Sequence, residues 1–299
     1  MMKKLLLAFA LGLSLTSVAQ VFSVTSIDRV TLPPGVTKVA AISPNGDYVL
    51  ATTGINKGLT QVNLTTGQSR ELTSAAGAGY GVRISPDGQT VLYRENSFTN
   101  DRLRLSSLNQ INLPTGTRMQ LVKPTHDLQG YGVSNTTAVL VDKGKFKAQQ
   151  LGQSKKEKLP VLSVAKGQLM ITLNGKTKVF SPSGTQHSYL WPSLSPDGKK
   201  VLYYIAAHGA YVCDINGAHV QKVGTMRAPV WYDNETIVGM LDTDDGEAVI
   251  SSSLVAVTLS GATQTLTDTS LIAMYPQTAQ GKIAFSTPAG EAYIINVTK

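Results

Sequence analysis

The chain has 299 residues, a formal charge of +8 and only 15% charged side chains against 42% hydrophobic ones. That apolar content is enough for a sizeable core, and it excludes a disordered, highly charged polymer. A single cysteine excludes an internal disulfide framework, so packing and hydrogen bonding must hold the fold.

The first residues read as a secretory leader. Lys3 and Lys4 form the charged region, Leu5 to Leu15 the apolar core, and Ser17-Val18-Ala19 the small-residue cleavage site before Gln20. The apolar run is shorter than the roughly 20 residues of a membrane span. No cysteine lies near the cut, so a lipid anchor is not supported. The expected organisation is a signal peptide over 1–19 and a single domain over 20–299, periplasmic or secreted. Loss of Lys3 and Lys4 lowers the charge by two. A mild basic excess in an exported chain points to anionic surfaces or glycans more readily than to nucleic acid.

Thr, Ser, Gly and Val are abundant, and the pattern reads as almost entirely β. Val21 to Leu32 alternates as one lone strand and stops at Pro33-Pro34-Gly35. The first unit then carries Ile42-Ser43-Pro44-Asn45-Gly46 before Tyr48-Val49-Leu50. The second carries Ile84-Ser85-Pro86-Asp87-Gly88 before Val91-Leu92-Tyr93. The fifth carries Leu194-Ser195-Pro196-Asp197-Gly198 before Val201-Leu202-Tyr203. Pro sets φ at the turn corner, Asp or Asn bonds its own backbone, and Gly relieves the exit. Recurrence of the turn indicates a repeat architecture.

Between these copies the units are worn. The third opens with Gly130-Tyr131-Gly132-Val133, echoing Gly79-Tyr80-Gly81-Val82, and turns at Lys143-Gly144-Lys145. The fourth has the turn Lys166-Gly167 and the hairpin signal Asn174-Gly175. Lys143, Lys145 and Lys147, like Lys176 and Lys178, alternate as outward strand faces. The sixth unit, from Arg227, places Tyr232-Asp233-Asn234-Glu235 at the turn position. The seventh starts near Ile272 and ends one strand short.

That shortfall matches the spare strand at the other end. The reading is an all-β, seven-bladed β-propeller of four-stranded antiparallel blades, closed by pairing of Val21–Leu32 with the last blade. Seven units over 20–299 lie near the ~40–45 residues usual for a blade; six longer blades are the alternative.

The Ser-Pro-Asp-Gly turn followed by Val-Leu-Tyr resembles the TolB-like, or WD-like, propeller repeats, from about Val39 to Val297. The resemblance implies a periplasmic or secreted interaction module. TolB itself carries an additional α/β domain and dipeptidyl-peptidase relatives a hydrolase domain. This chain is expected to have neither.

No nucleophile elbow, His-Glu-x-x-His motif or phosphate-cradling Gly-rich loop occurs. Blade-to-blade entries share a face with the hairpins joining second and third strands, and the Ser-Pro-Asp-Gly turns lie on the opposite face. The entries are expected to offer Lys38, Tyr80, Tyr131, Tyr189 and Arg227 at the channel mouth, a set suited to sugar rings or acidic peptides. His126, His187 and His208 fall on the same face and His219 on the other. A family of pectin-fragment lyases with a similar propeller holds a metal on channel histidines, which would make the first three metal candidates. Asp242-Thr243-Asp244-Asp245-Gly246-Glu247 begins like a calcium loop, but Gly246 falls where an oxygen ligand is wanted. Cys213 is expected as a buried, inert thiol. The favoured function is a non-catalytic, monomeric module binding an envelope protein or glycan, with no cofactor and no nucleic acid. The alternative is a metal-dependent lyase acting on acidic oligosaccharides.

Overall fold

The structure is a computed structural model and describes residues 20–151 and 157–299. The leader expected over 1–19 lies outside the described residues. Seven antiparallel sheets follow one another around a ring. Blade 1 runs from the strand Lys38–Ile42 to Ser69–Thr73, and blade 2 from Arg83–Ile84 to Arg118–Thr125. Blade 3 spans Leu128–Val133 to Lys145–Gln150, and blade 4 Val161–Ala165 to Lys176–Val179. Blade 5 spans Tyr189–Leu194 to Gln221–Gly224, and blade 6 Arg227–Trp231 to Thr263–Thr265. Blade 7 combines Met274–Ala279, Lys282–Ser286 and Ala292–Thr298 with the N-terminal strand Ser23–Val30. The six-bladed alternative is thereby set aside.

Second strands explain the composition. Tyr48–Thr52 and Thr137–Asp142 are buried at every position. A strand pressed by neighbouring blades on both faces needs a continuous apolar run rather than alternation. Each Leu or Val so buried contributes about 1.5–3 kcal/mol. Outer strands alternate or face water, as in Lys145–Gln150, where Lys145 and Lys147 point outward.

The repeated turn also joins blades. Ser85 is buried; its Oγ accepts from Thr90 N (2.9 Å) and donates to Asp87 Oδ1 (2.5 Å), which accepts from Gln89 N (3.0 Å). Asp87 N then donates to Asn135 Oδ1 of blade 3 at 2.8 Å. Blade 5 repeats this: Lys200 N donates to Ser195 Oγ, and Asp197 N to Asn234 Oδ1 of blade 6 at 3.0 Å. The backbone N–H left over by one turn is thus satisfied by the next blade's asparagine.

Ring closure follows the sequence expectation. Ser23–Val30 pairs antiparallel with Ala292–Thr298 as the outermost strand of the last blade. Ahead of it, Gln264 Oε1 of blade 6 accepts from Val21 N (2.9 Å) and Phe22 N (2.7 Å), while its Nε2 donates to Phe22 O (2.9 Å). Phe22 is buried edge-on against Tyr232.

One expectation needs correction. Five blades have four strands, but blades 3 and 4 have three among the described residues. The reason is parity. An odd number of strands leaves the chain at the wrong face for the next entry. Glu157 N donates to Thr137 Oγ1 at the base of blade 3, so the chain starts toward blade 4 from that face. The turn Lys166-Gly167 then meets the entry to blade 5, with Gly167 O accepting from Tyr189 N at 2.8 Å. A second three-stranded sheet restores the direction that the first one reversed.

Candidate functional site: the entry face

Apart from that of blade 4, the innermost strands begin on the entry face, and those of blades 1, 3, 5, 6 and 7 carry a bulge that re-aims side chains there. Lys38 Nζ donates to Asn56 Oδ1 (3.0 Å) and lies 5.4 Å from the ring centroid of Tyr275. Burial holds the Lys38 ammonium below its ordinary pKa. Asn56 O accepts from Gly79 N, which leads directly into Tyr80. Arg94 lies between Tyr80 and Tyr131, its guanidinium 5.7 and 5.0 Å from the two rings. Arg94 Nε donates to Tyr131 OH (3.2 Å), and that hydroxyl donates to Gly81 O (2.7 Å). Tyr275, Lys38, Asn56, Tyr80, Arg94 and Tyr131 therefore form one continuous arc across blades 7, 1, 2 and 3. Neither Lys38 nor Arg94 forms an ion pair among the described residues. Beside the arc, a cavity of about 390 Å³ is lined by Thr37, Lys38, Gly54, Val249, Met274, Tyr275 and Thr287.

Three of the five expected mouth residues thus come together, and two do not. Tyr189 is fully buried between blades 4 and 5. Its hydroxyl accepts from Ser183 N and donates to Gly184 O, both at 2.9 Å. Arg227 is tied to the buried carboxylate of Asp242 (Nη1–Oδ2 2.5 Å), with Asp244 at 3.9 Å. Register explains the first difference. Lys38 and Tyr80 each stand five residues before the turn serine, at Ser43 and Ser85, whereas Tyr189 stands six before Ser195. The bulge between Leu190 and Ser193 exposes Leu190 and Trp191 instead.

The same count finds a residue that sequence reading missed. Tyr275 stands five before Gln280, which holds the turn position in blade 7. It adopts φ +53°, and Trp191 adopts +47°. Bulky side chains in the left-handed region are uncommon and concentrate where a surrounding structure forces them. Arg94 had no motif to announce it; it follows Val91-Leu92-Tyr93 on a second strand.

The histidines divide. The rings of His187 and His208 meet edge to face with centroids 5.0 Å apart, and Gln186 Nε2 lies 3.1 Å from His187 Nε2. His126 is elsewhere, its Nδ1 2.9 Å from Arg104 O, and His219 pairs with Asp214 at 2.6 Å. Among the described residues, no group of three or more His, Cys, Asp or Glu side chains is placed to share a metal ion. In the acidic hairpin, Asp245 Oδ1 accepts from Glu247 N (2.9 Å) and Ala248 N (2.8 Å), and Asp244 Oδ1 accepts from Gly246 N (3.2 Å). Bonds to Ala248 N and Glu247 N hold the Asp245 carboxyl below its usual range. These oxygens shape the turn. Burial, then the charge of Asp214, pushes the Cys213 thiol up to about 12.

No protein-family model matches the sequence, and a comparison with curated proteins finds no match. Solved structures do match. The WD40 repeats of RRP9 superpose with a TM-score of 0.61 at 9% identity, over 93% of this chain and 100% of that one. Virginiamycin B lyase from Staphylococcus aureus gives 0.59 at 13% identity, over 91% and 99%. An oligogalacturonate lyase in complex with manganese gives 0.50 at 15% identity, over 90% and 79%. At these identities the likeness is one of fold: the β-propeller is common to WD40 modules and lyases.

Proposed function

We propose that this protein is an exported, non-catalytic interaction module of the TolB-like kind, binding an acidic protein or glycan on its entry face. The observation that carries the reading is the arc from Tyr275 to Tyr131. It presents two cations without acidic partners, each against an aromatic ring. Exposed aromatic faces with unpaired cations favour ligands that bring negative charge and flat or apolar surface. The leader-like first residues support a periplasmic or secreted site of action, and the Ser-Pro-Asp-Gly turns support the TolB-like grouping. Capture of envelope proteins, run beside a glycan array, tests the proposal with variants on each face. Loss of Arg94 or Lys38 should abolish capture, whereas loss of Asn135, on the opposite face, should leave it intact. The reverse pattern would sink the proposal.

A second reading, a metal-dependent lyase acting on acidic oligosaccharides, is favoured by one feature: the His187–His208 pair with Gln186 beside it. Two imidazoles and a neutral amide fall short of the ligand set of a tightly held ion. Turnover of an oligouronate, lost with chelator and with His208→Ala, would establish this reading over the first.

A further inference from the structure

Arg94 carries an unanswered hydrogen-bonding edge. Its Nε is engaged by Tyr131, but neither Nη has an acceptor among the described residues. A guanidinium presents its donors as a rigid fork that matches a planar carboxylate. Tyr80 and Tyr131 flank that fork, their ring centroids 5.7 and 5.0 Å from its central carbon. Exposed apolar side chains stand on the two neighbouring hairpins and the link between them. Ile55 on the blade 1 hairpin is 81% exposed, Tyr80 61%, and Phe98 and Leu103 on the blade 2 hairpin 64% and 57%. The link between blades 1 and 2 joins these parts. Gly79 N bonds Asn56 O beside Ile55, and Asn96 N bonds Ala76 O (2.7 Å), two residues before Phe98. Exposed aliphatic tips of this kind are usual for protein contacts and add little to sugar recognition, which relies on aromatic faces and hydroxyl partners.

We infer that the surface running from the blade 1 hairpin over the inter-blade link to the blade 2 hairpin docks a peptide segment in which an Asp or Glu is flanked by apolar residues. The acidic side chain takes the free Nη edge of Arg94 between the two tyrosines, and the apolar neighbours cover Ile55 and Phe98. This rests on the entry-face reading above and names its ligand class.

The test is selection of a phage-displayed random 12-residue peptide library on the full mature chain, followed by affinity measurement on four proteins: wild type, Arg94→Gln, Arg94→Lys and Ile55→Ser. Selected peptides should share an acidic residue beside Leu, Ile or Phe. Arg94→Gln should weaken them about tenfold or more, and Arg94→Lys nearly as much, because a lysine lacks the fork. Ile55→Ser, at an exposed tip, should weaken them a few fold with no change in thermal midpoint. Peptides that bind wild type and Arg94→Gln equally would overturn the inference while leaving entry-face binding open to other residues. Binding of uronate oligosaccharides from an array, with no peptide enriched, would overturn the inference and keep the module as a glycan binder. Absence of any entry-face ligand in either format would overturn both.

Discussion

Two long hairpins rise from the entry face, at blades 2 and 6, and each has an arginine near its base. In blade 6, Arg227 meets Asp242, whose side chain is almost wholly buried, and the hairpin tip is acidic. In blade 2, Arg94 meets two tyrosine rings and no carboxylate. An arginine on the first strand of blade 6 thus sits in an internal ion pair, and one on the second strand of blade 2 remains an open cation. Blade 6 also fastens the N-terminal segment through Gln264 and the Phe22–Tyr232 contact. That side of the ring holds the closure contacts, and the blade 2 side carries the cation of the proposed ligand site. A cation already paired adds little to binding, and an unpaired one adds little to stability.

Substitutions should separate the two sides, beginning with the latch. Phe22→Ala empties a buried aromatic site and should cost about 3 kcal/mol, read from the denaturation midpoint. A cost below about 1 kcal/mol would mean that the first residues do not hold the ring closed. Next, Arg227→Met leaves the Asp242 carboxylate buried without its cation. Discounted for the partial exposure of Arg227, the expected loss is about 2 kcal/mol. Arg94→Met should cost under about 1 kcal/mol, because only cation–aromatic contacts and one hydrogen bond are lost. Equal losses at the two arginines would dissolve the comparison. Cys213 supplies a folding check for every variant. Its raised pKa keeps it protonated at pH 8, so a maleimide should label it only after unfolding, and labelling of the native protein would contradict its place in the core.

The smallest expected effect concerns pH. Burial lowers the Lys38 pKa, so its charge is lost at a lower pH than that of an ordinary lysine. Affinity for an anionic ligand should therefore decline as alkaline pH passes through that lowered value. Lys38→Arg should flatten the decline, since guanidinium keeps its charge. Stability moves the other way. The folded chain binds fewer protons at Lys38 than the unfolded chain between the two pKa values, so this contribution grows as pH rises. A wild-type affinity profile that matches Lys38→Arg would remove Lys38 from the site.

Much of the ring was legible because its turn chemistry is local. Ser85, Asp87 and Gly88 satisfy one another within a few residues, so the motif survives in sequence. The spare strand was legible as well, since an odd alternating segment needs a partner. The three-stranded blades were not: strand count there follows from which face the chain exits, and Gly167 meeting Tyr189 leaves no local mark. The proposed site was half legible. Lys38, Tyr80 and Tyr131 were found as entry residues, but the bulge in blade 5 turned Tyr189 inward, and a distant carboxylate took Arg227. Arg94 is recognisable only when two blades meet around it.

The most direct measurement places Arg94→Met and Arg227→Met in one envelope-protein capture assay, with yields expressed per mole of protein whose Cys213 stays protected. The account predicts that Arg94→Met loses capture while remaining as stable as wild type, and that Arg227→Met captures normally from its folded fraction. Undiminished capture by Arg94→Met, with loss in Arg227→Met, would contradict it.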